Sequence, residues 1–568
     1  MKILGIHVGH DSSAALIVDG EIVADIQEER LVRIKHSNNV PVQSIAYCLK
    51  QGQLNSINDL DYIGFSWKDT PKNLISLLGL RNNSLSRADK ARLIKDKITA
   101  TLKRSLSIEE ILPPIYYPDF KLHDTSKFIN QEHHLVHAAS AYFTQEVYDQ
   151  CLIFSIDGMG DEVTTSVWMG EGNTIRPLVR YGREAGIGLA YSIVTEGLHW
   201  IHGDGEGKTM GLAPYGDTTS CQGVLDKYFP VFEGEKLVKP AEIGETAYWN
   251  ESGSTQFHLA EAKEVEALIK QYGRENIAAE AQRKLEDCIM NLVFGWCQQT
   301  GVKSIACAGG VFLNVKLNQR IWNNRGQLIE KQYIYPNPGD SGLAVGAALN
   351  VYYRHHPFKG YQLQDLYKGS QFTNEEVEKI LKVRKLKYEY VENPSQLAAQ
   401  LLAEDKIIAW FQGRMEAGPR ALGNRSILMS PLKPENKDII NAWVKFREGF
   451  RPFCPSMLHE KMHEYLDGAR EEFFMITSFD VKAEKKDKIP AVVHVDGTAR
   501  PQLVRKETNP RYWELIHEFG KLTGEYVILN TSFNILGEPI INHPKEAIRC
   551  LFDSGIDGLF INNYFIQK

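Results

Sequence analysis

Two histidines one helical turn apart are the first residues in this chain whose type and spacing suggest chemistry. The stretch QEHHLVHAASAYF places His133 and His137 at i and i+4 in good helix-forming sequence. On a helix, that spacing sets both imidazoles on one face. Such a pair is half of a transition-metal site. His134, not Glu, follows His133, so the HExxH protease pattern is absent. Carboxylates that could complete a site lie in two glycine-rich turns, Asp157 and Asp161 in SIDGMGD and Asp340 in NPGDSG. Asp in such a turn is often only a turn former. Two imidazoles with hard oxygen ligands suit Fe(II), Mn or Zn and leave positions open for a substrate.

A second group of residues suits anions. GRMEAGPRALGNRS, 413–426, sets Arg414, Arg420 and Arg425 among glycines. Glycine allows close backbone approach, and arginine forks an oxyanion with paired hydrogen bonds. Gln412 to Arg451 holds eight Lys/Arg against four Asp/Glu, a local positive excess in a chain of formal net charge -6. Lys445 and Arg447 form a KxR pair, which on a strand would face one side. Ser532 and Asn534 form an SxN pair just after a strand ending at Asn530, and Arg500 lies in the turn DGTARPQ. Together these groups could hold a triphosphate or a carbamoyl group.

The elements that must position them read as α/β. KILGIHVG is a strand, GHDSS a turn, and AALIVDGEIVADI a second run with Asp19-Gly20 as a hairpin signal. Further strand–turn signals are CLIFSIDGMGDE, SIACAGGVFLN and YIYPNPGDSG, the last followed by a small-residue helix from near Ser341. Residues 276–300 have helical apolar spacing. A compositional change at HHPFKG places a domain boundary at 357/358, after which new α/β units begin with KIIAWFQG and YVILNTSFN. No internal repeat is evident.

The 568 residues are 43% hydrophobic and 24% charged, which is globular composition. The negative net charge disfavours a broad nucleic-acid-binding surface. The first apolar run is short and interrupted by His7 and His10, and no run of about 18 apolar residues follows, so neither a signal peptide nor a membrane span is expected. Eight scattered cysteines without CxxC read as buried thiols in a reducing, cytoplasmic setting.

Together the motifs resemble the O-carbamoyltransferase family, which includes nodulation and antibiotic carbamoyltransferases (the cephem and tobramycin enzymes). The matching stretches are HDSSAAL, EERLVRIKH, HHLVHAASAYF, DGMGDE, GKTMGLAPYG, GGVFLN, GDSG, GRMEAGPRALGNRSI, FREGFRPFCPS, DGTARPQ and LNTSFN. The resemblance implies an actin-like (ASKHA, threonylcarbamoyl-transferase-like) domain over 1–357 and a YrdC-like α/β domain over 358–568. It implies metal ligation by His133, His137, Asp157 and Asp340. It also implies an adenylate cradle with Gly309, Gly310 and Asn314 beside Lys208. The cationic groups Arg414, Arg420, Lys445, Arg447 and Arg500, with Asn530, Ser532 and Asn534, would bind carbamoyl phosphate and ATP with Mg. His10 would be the base that activates an acceptor hydroxyl, with Asp11 orienting it and Lys35 nearby. The implied partners are carbamoyl phosphate, ATP and a small hydroxylated acceptor, with a homodimer open. An actin-like small-molecule kinase, a tRNA threonylcarbamoyl-type enzyme and a non-catalytic relative that kept the fold are the competing readings.

Overall fold

The computed structural model describes residues 1–68, 120–244, 261–535 and 537–568, and the backbone of 247–251 and 254–258. The described chain divides into two compact units, Met1–Leu363 and Gln364–Lys568, against the 357/358 boundary expected from sequence.

The first unit holds two five-stranded sheets. One runs in the order Glu21–Gln27, Ser13–Val18, Lys2–His7, Tyr62–Phe65, Phe128–Asn130. Its first three strands are antiparallel, and its last three are parallel. The other runs Thr174–Tyr181, Val163–Glu171, Cys151–Gly160, Ser304–Ala308, Lys331–Ile334, with the same sequence of strand senses. In chain order both are 3-2-1-4-5, the duplicated arrangement of an actin-like fold. Sequence inspection detected no repeat, yet the topology is repeated. Two-residue turns build a hairpin in each sheet. Asp19 and Gly20 turn the first, and Asp161 and Glu162 the second, all four at positive φ. That backbone twist matches the right-handed twist of the flanking strands.

Residues 133–142 and 343–352 are the helices that matter for the site. They pack on each other, and Leu343–Tyr352 also packs on Lys2–His7. Gly346 makes this possible, because a Cβ there would stand 2.2 Å from the Val136 carbonyl oxygen. Ala347, Leu343 and Val136 are fully buried between the two helices. The apolar interior beneath the first sheet gathers Leu4, Ile6, Leu16, Ile45, Ile63 and Phe65.

The second unit is built on an eight-stranded mixed sheet. Ile408–Phe411, Arg425–Met429, Val527–Ser532 and Cys454–Leu458 are adjacent at its centre and antiparallel to one another. Gln502–Val504 lies parallel beside Cys454–Leu458 at one edge. Helices Pro394–Ala403 and Pro510–Thr523 cover one face through Leu402, Tyr512, Leu515 and Phe519. The KxR pair is not on a strand. Lys445 ends a single π-type turn, Asn441–Lys445, and Phe446 takes a left-handed conformation at φ 47 before Arg447. None of the eight cysteines forms a disulfide. Among the described residues, no helix is long and apolar enough to cross a membrane.

Candidate metal centre and anion site

Four side chains from three separated segments converge in the first unit. His133 and His137 come from one face of helix His133–Tyr142, Asp157 from the strand Cys151–Gly160, and Asp340 from the short turn Asp340–Gly342. Their ligand atoms all lie within 4.8 Å of one another. His133 Nε2 is 3.8 Å from an Asp157 oxygen and 3.6 Å from an Asp340 oxygen, and His137 Nε2 is 4.0 and 3.4 Å from the same pair. These gaps are too long for hydrogen bonds. They match donors gathered around one ion at about 2.0–2.2 Å each. His133 Nδ1 and Nε2 and His137 Nε2 are buried with no hydrogen-bond partner. Buried polar atoms are rarely left unpaired, and the two Nε2 atoms, one from each ring and both facing the carboxylates, suit a cation. The donor set fits Fe(II), Mn or Zn.

The four groups perturb one another's ionisation. Burial alone would raise the Asp340 carboxyl, but His133 and His137 hold it well below the usual carboxylate range. Asp157 is lowered in the same way against burial and against Asp340. Burial would depress His133, yet Asp340 and Asp157 push it up to about 10.

Neighbouring groups fix the ligands. The Gly310 N–H donates to Asp157 Oδ1 at 2.7 Å. A side chain at Gly310 would strike that same oxygen, and one at Gly309, where φ is 99, would strike the Ile156 carbonyl oxygen. The double glycine therefore serves close approach to Asp157. Asp161 is not among the ligands. It accepts from the His133 N–H at 2.8 Å and caps the helix that carries the histidines. His134 bonds Ser166 Oγ and the Val163 carbonyl, and burial lowers it to about 3. His7, which sequence reasoning passed over, lies 3.6 Å from Asp340, and its ring stands 6.0 Å from His133. Burial lowers it to about 4.

A second cluster adjoins the first through His7, whose Nε2 is 3.1 Å from the His10 carbonyl oxygen. His10 Nδ1 lies 3.1 Å from one Asp11 oxygen, and His36 Nδ1 lies 2.8 Å from the other. His36 Nε2 is 3.3 Å from Asp204, which also takes the Lys35 ammonium at 2.5 Å. Asp11 and His36 both adopt positive φ, at 60 and 53. Non-glycine residues held there mark a site that the surroundings over-determine. Burial would lower His10, but Asp11 outweighs it and raises the imidazole. His10 Nε2 faces bare backbone, since a Cβ on Gly203 would stand 3.1 Å from it. His36 and Asp204 were absent from the sequence-derived site. His36 lies within the EERLVRIKH motif and Asp204 just ahead of GKTMGLAPYG, but their meeting depends on the fold.

Of the residues expected at an adenylate, Gly309 and Gly310 lie beside Ile156 and Asp157. Asn314 caps helix Val315–Asn323 and exchanges hydrogen bonds with Gln282. Lys208 stands over the Trp200 ring.

In the second unit, the basic residues divide into two groups. Arg414 donates to the carbonyls of Lys368 and Gly369. Arg425, fully buried, donates to the carbonyls of Gln412, Gly413, Asn424 and Ser370 and lies 3.6 Å over Phe411. Lys445 Nζ donates to Ser532 O at 2.5 Å, Asn534 Oδ1 at 2.8 Å and Asn534 O at 3.0 Å. An ammonium has three donors, and here all three have partners. Asn530 ties Ala421, Ser456 and Gln502 together beneath the sheet. All four are held by acceptors of the protein itself.

Arg420, Arg447 and Arg500 are different. Burial lowers Arg420 to about 9, aided by repulsion from Arg500, and burial lowers Arg447 to about 9, aided by repulsion from Arg451. Cations held this close repel one another, an arrangement that suits an anion.

The fold and site thus describe an actin-like enzyme domain with a buried two-His, two-Asp centre, joined in one chain to an α/β unit with a cluster of arginines. Residues 2–349 match the family described as Carbamoyltransferase N-terminus and residues 399–568 the one described as Carbamoyltransferase C-terminus. The chain belongs to the carbamoyltransferase family and is a carbamoyltransferase. It is 34% identical to uncharacterized protein sll1178 of Synechocystis, over 98% of this chain and 95% of that one. It is also 34% identical to nodulation protein NolNO of Sinorhizobium fredii, over 98% of this chain and 79% of that one. A loose structural likeness (TM-score 0.31, 12% identity, 62% of this chain and 96% of the other) links it to the activator of the 2-hydroxyisocaproyl-CoA dehydratase from Clostridium difficile. Family membership decides against the kinase and non-catalytic readings.

Proposed function

We propose that this carbamoyltransferase works in two half-reactions and delivers the carbamoyl group to a hydroxyl of a small molecule. In the first, carbamoyl phosphate loses inorganic phosphate to water, and the resulting carbamate oxygen attacks the α-phosphorus of ATP. Carbamoyl-adenylate forms and pyrophosphate leaves, with Mg carried by the nucleotide. Arg420, Arg447 and Arg500 of the YrdC-like second unit bind the phosphate oxygens and offset their charge in the transition state. In the second half-reaction, the acceptor oxygen attacks the carbamoyl carbon and AMP leaves. His10 Nε2 takes the acceptor proton, while Asp11 holds the Nδ1–H and so fixes the tautomer. His133, His137, Asp157 and Asp340 would hold an Fe(II), Mn or Zn ion, which would supply Lewis-acid polarisation of the carbamoyl oxygen or the adenylate phosphate.

The observation that carries this reading is the four-donor cluster with its orphaned imidazole nitrogens, linked through His7 to the His10–Asp11 pair. The test is His10→Ala in the full chain, with pyrophosphate release and carbamoylation of candidate hydroxyl acceptors followed together. Transfer falls about 10²–10⁴-fold, the usual worth of general-base help, while pyrophosphate release continues. Equal loss of both half-reactions, or no loss in either, refutes the assignment of His10.

A further inference from the structure

The arginine cluster of the second unit contains a sulfur. Cys454 opens the strand Cys454–Leu458, is 6% exposed, and lies among Arg420, Arg447, Arg451 and Arg500. Arg500 donates to Cys454 Sγ through Nε at 3.0 Å and through Nη2 at 2.7 Å. Both contacts are on one edge of the guanidinium plane. The remaining terminal nitrogen of Arg500 has no protein acceptor among the described residues. Arg420 carries a buried Nε with no hydrogen-bond partner. Arg447, by contrast, is steered by Asn441 Oδ1 at 2.7 Å and rests 4.6 Å over Phe453. Two guanidinia therefore have donors unmet by protein, and one of them is aimed by a thiol.

We propose that Cys454 is a positioning residue for the first half-reaction: its sulfur holds one edge of Arg500 so that the free edge meets a phosphate oxygen of carbamoyl phosphate. This rests on the adenylate-forming reading of the second unit. The arginine fork is useful to an oxyanion only in a fixed plane, because its donors are coplanar and rigidly spaced. Without an acceptor on its inner edge, Arg500 would rotate away from the equally charged Arg420 and Arg447. The sulfur stops that rotation without placing a carboxylate in the cluster, which would compete with the anionic substrate for the same donors.

The experiment compares full-length wild type, Cys454→Ala and Cys454→Ser. Pyrophosphate release with ATP and carbamoyl phosphate is measured, together with melting temperature and calorimetric binding of inorganic phosphate. Cys454→Ala raises KM for carbamoyl phosphate at least about tenfold, the scale of a lost hydrogen bond to a charged group, and weakens phosphate binding in proportion. KM for ATP and the melting temperature stay put. Cys454→Ser, whose hydroxyl still accepts, recovers to within about threefold of wild type. A wild-type KM in Cys454→Ala overturns the proposal. So does a loss shared equally by ATP and thermal stability, or a Ser variant as poor as Ala. Should wild type itself release no pyrophosphate with carbamoyl phosphate, the adenylate reading has failed, and phosphate binding alone then decides for or against Cys454.

Discussion

Replacing Lys445 with methionine separates two roles for the KxR lysine, as substrate ligand or as brace. Methionine keeps most of the side-chain length and removes the charge. Lys445 is 5% exposed, and its ammonium donates at 2.5, 2.8 and 3.0 Å to Ser532 O, Asn534 Oδ1 and Asn534 O. A hydrogen bond to a charged group contributes about 1.5–3 kcal/mol, and an orphaned buried acceptor costs about 1–3 kcal/mol. These figures do not add, because Ser532 and Asn534 are half-buried and water can reach part of what the lysine leaves. A loss of about 2–4 kcal/mol is the reasonable scale. For a unit of this size, 1 kcal/mol moves the melting temperature by about 2–4 °C, so the second unit should melt roughly 4–16 °C lower. Differential scanning calorimetry of the full chain reads this, since the two units need not unfold together. Below the melting point, KM for carbamoyl phosphate stays within a few-fold of wild type. If Lys445→Met instead melts with wild type and raises that KM strongly, the lysine is a substrate ligand and the bracing argument is wrong.

Asp340→Asn keeps the shape of the metal centre and removes half its carboxylate charge. After anaerobic reconstitution, it should bind Fe(II), Mn or Zn at least about 100-fold more weakly than wild type, beyond the 10–100-fold that loss of an outer partner costs. Metal analysis showing full stoichiometry in this variant would dismantle the four-ligand centre. His36 faces Asp11, Asp204, Lys35 and the His10 ring, and its backbone N–H donates to Glu29. Burial would lower it, but Asp11 and Asp204 raise it to about 10, above an ordinary value near 6.5. A raised imidazole contributes stability that is complete below about pH 6.5 and vanishes as pH climbs through about 10. His36→Gln should therefore melt below wild type at neutral pH by the equivalent of about 1 kcal/mol, and the gap should close by about pH 10.5. A gap independent of pH contradicts the ion-pair account.

Local patterns made much of this legible in advance. The i, i+4 histidines needed only helical geometry, and Asp19-Gly20 needed only the left-handed conformations that a two-residue hairpin demands. The same holds for the strands Ile408–Phe411 and Val527–Ser532 and the helix ending at Thr300, each written in one continuous stretch. The carbamoyltransferase assignment was equally local, carried by motifs that survive without the fold. Other features required the three-dimensional chain. The repeated sheet topology left no sequence repeat, because strand order constrains burial and twist but not residue identity. KxR fell off its expected strand because Phe446 turns left-handed between its two cations. Asp161 and Asn314 became helix caps, and Arg414 and Arg425 became carbonyl braces, since a polar group takes whichever partner the fold brings nearest once water is excluded. Hence the linear sequence named the residue types and the reaction family. The convergence of His133 with Asp340, of Asp11 with Asp204 through His36, and of Arg500 with Cys454 is a consequence of packing, which joins groups tens to hundreds of residues apart.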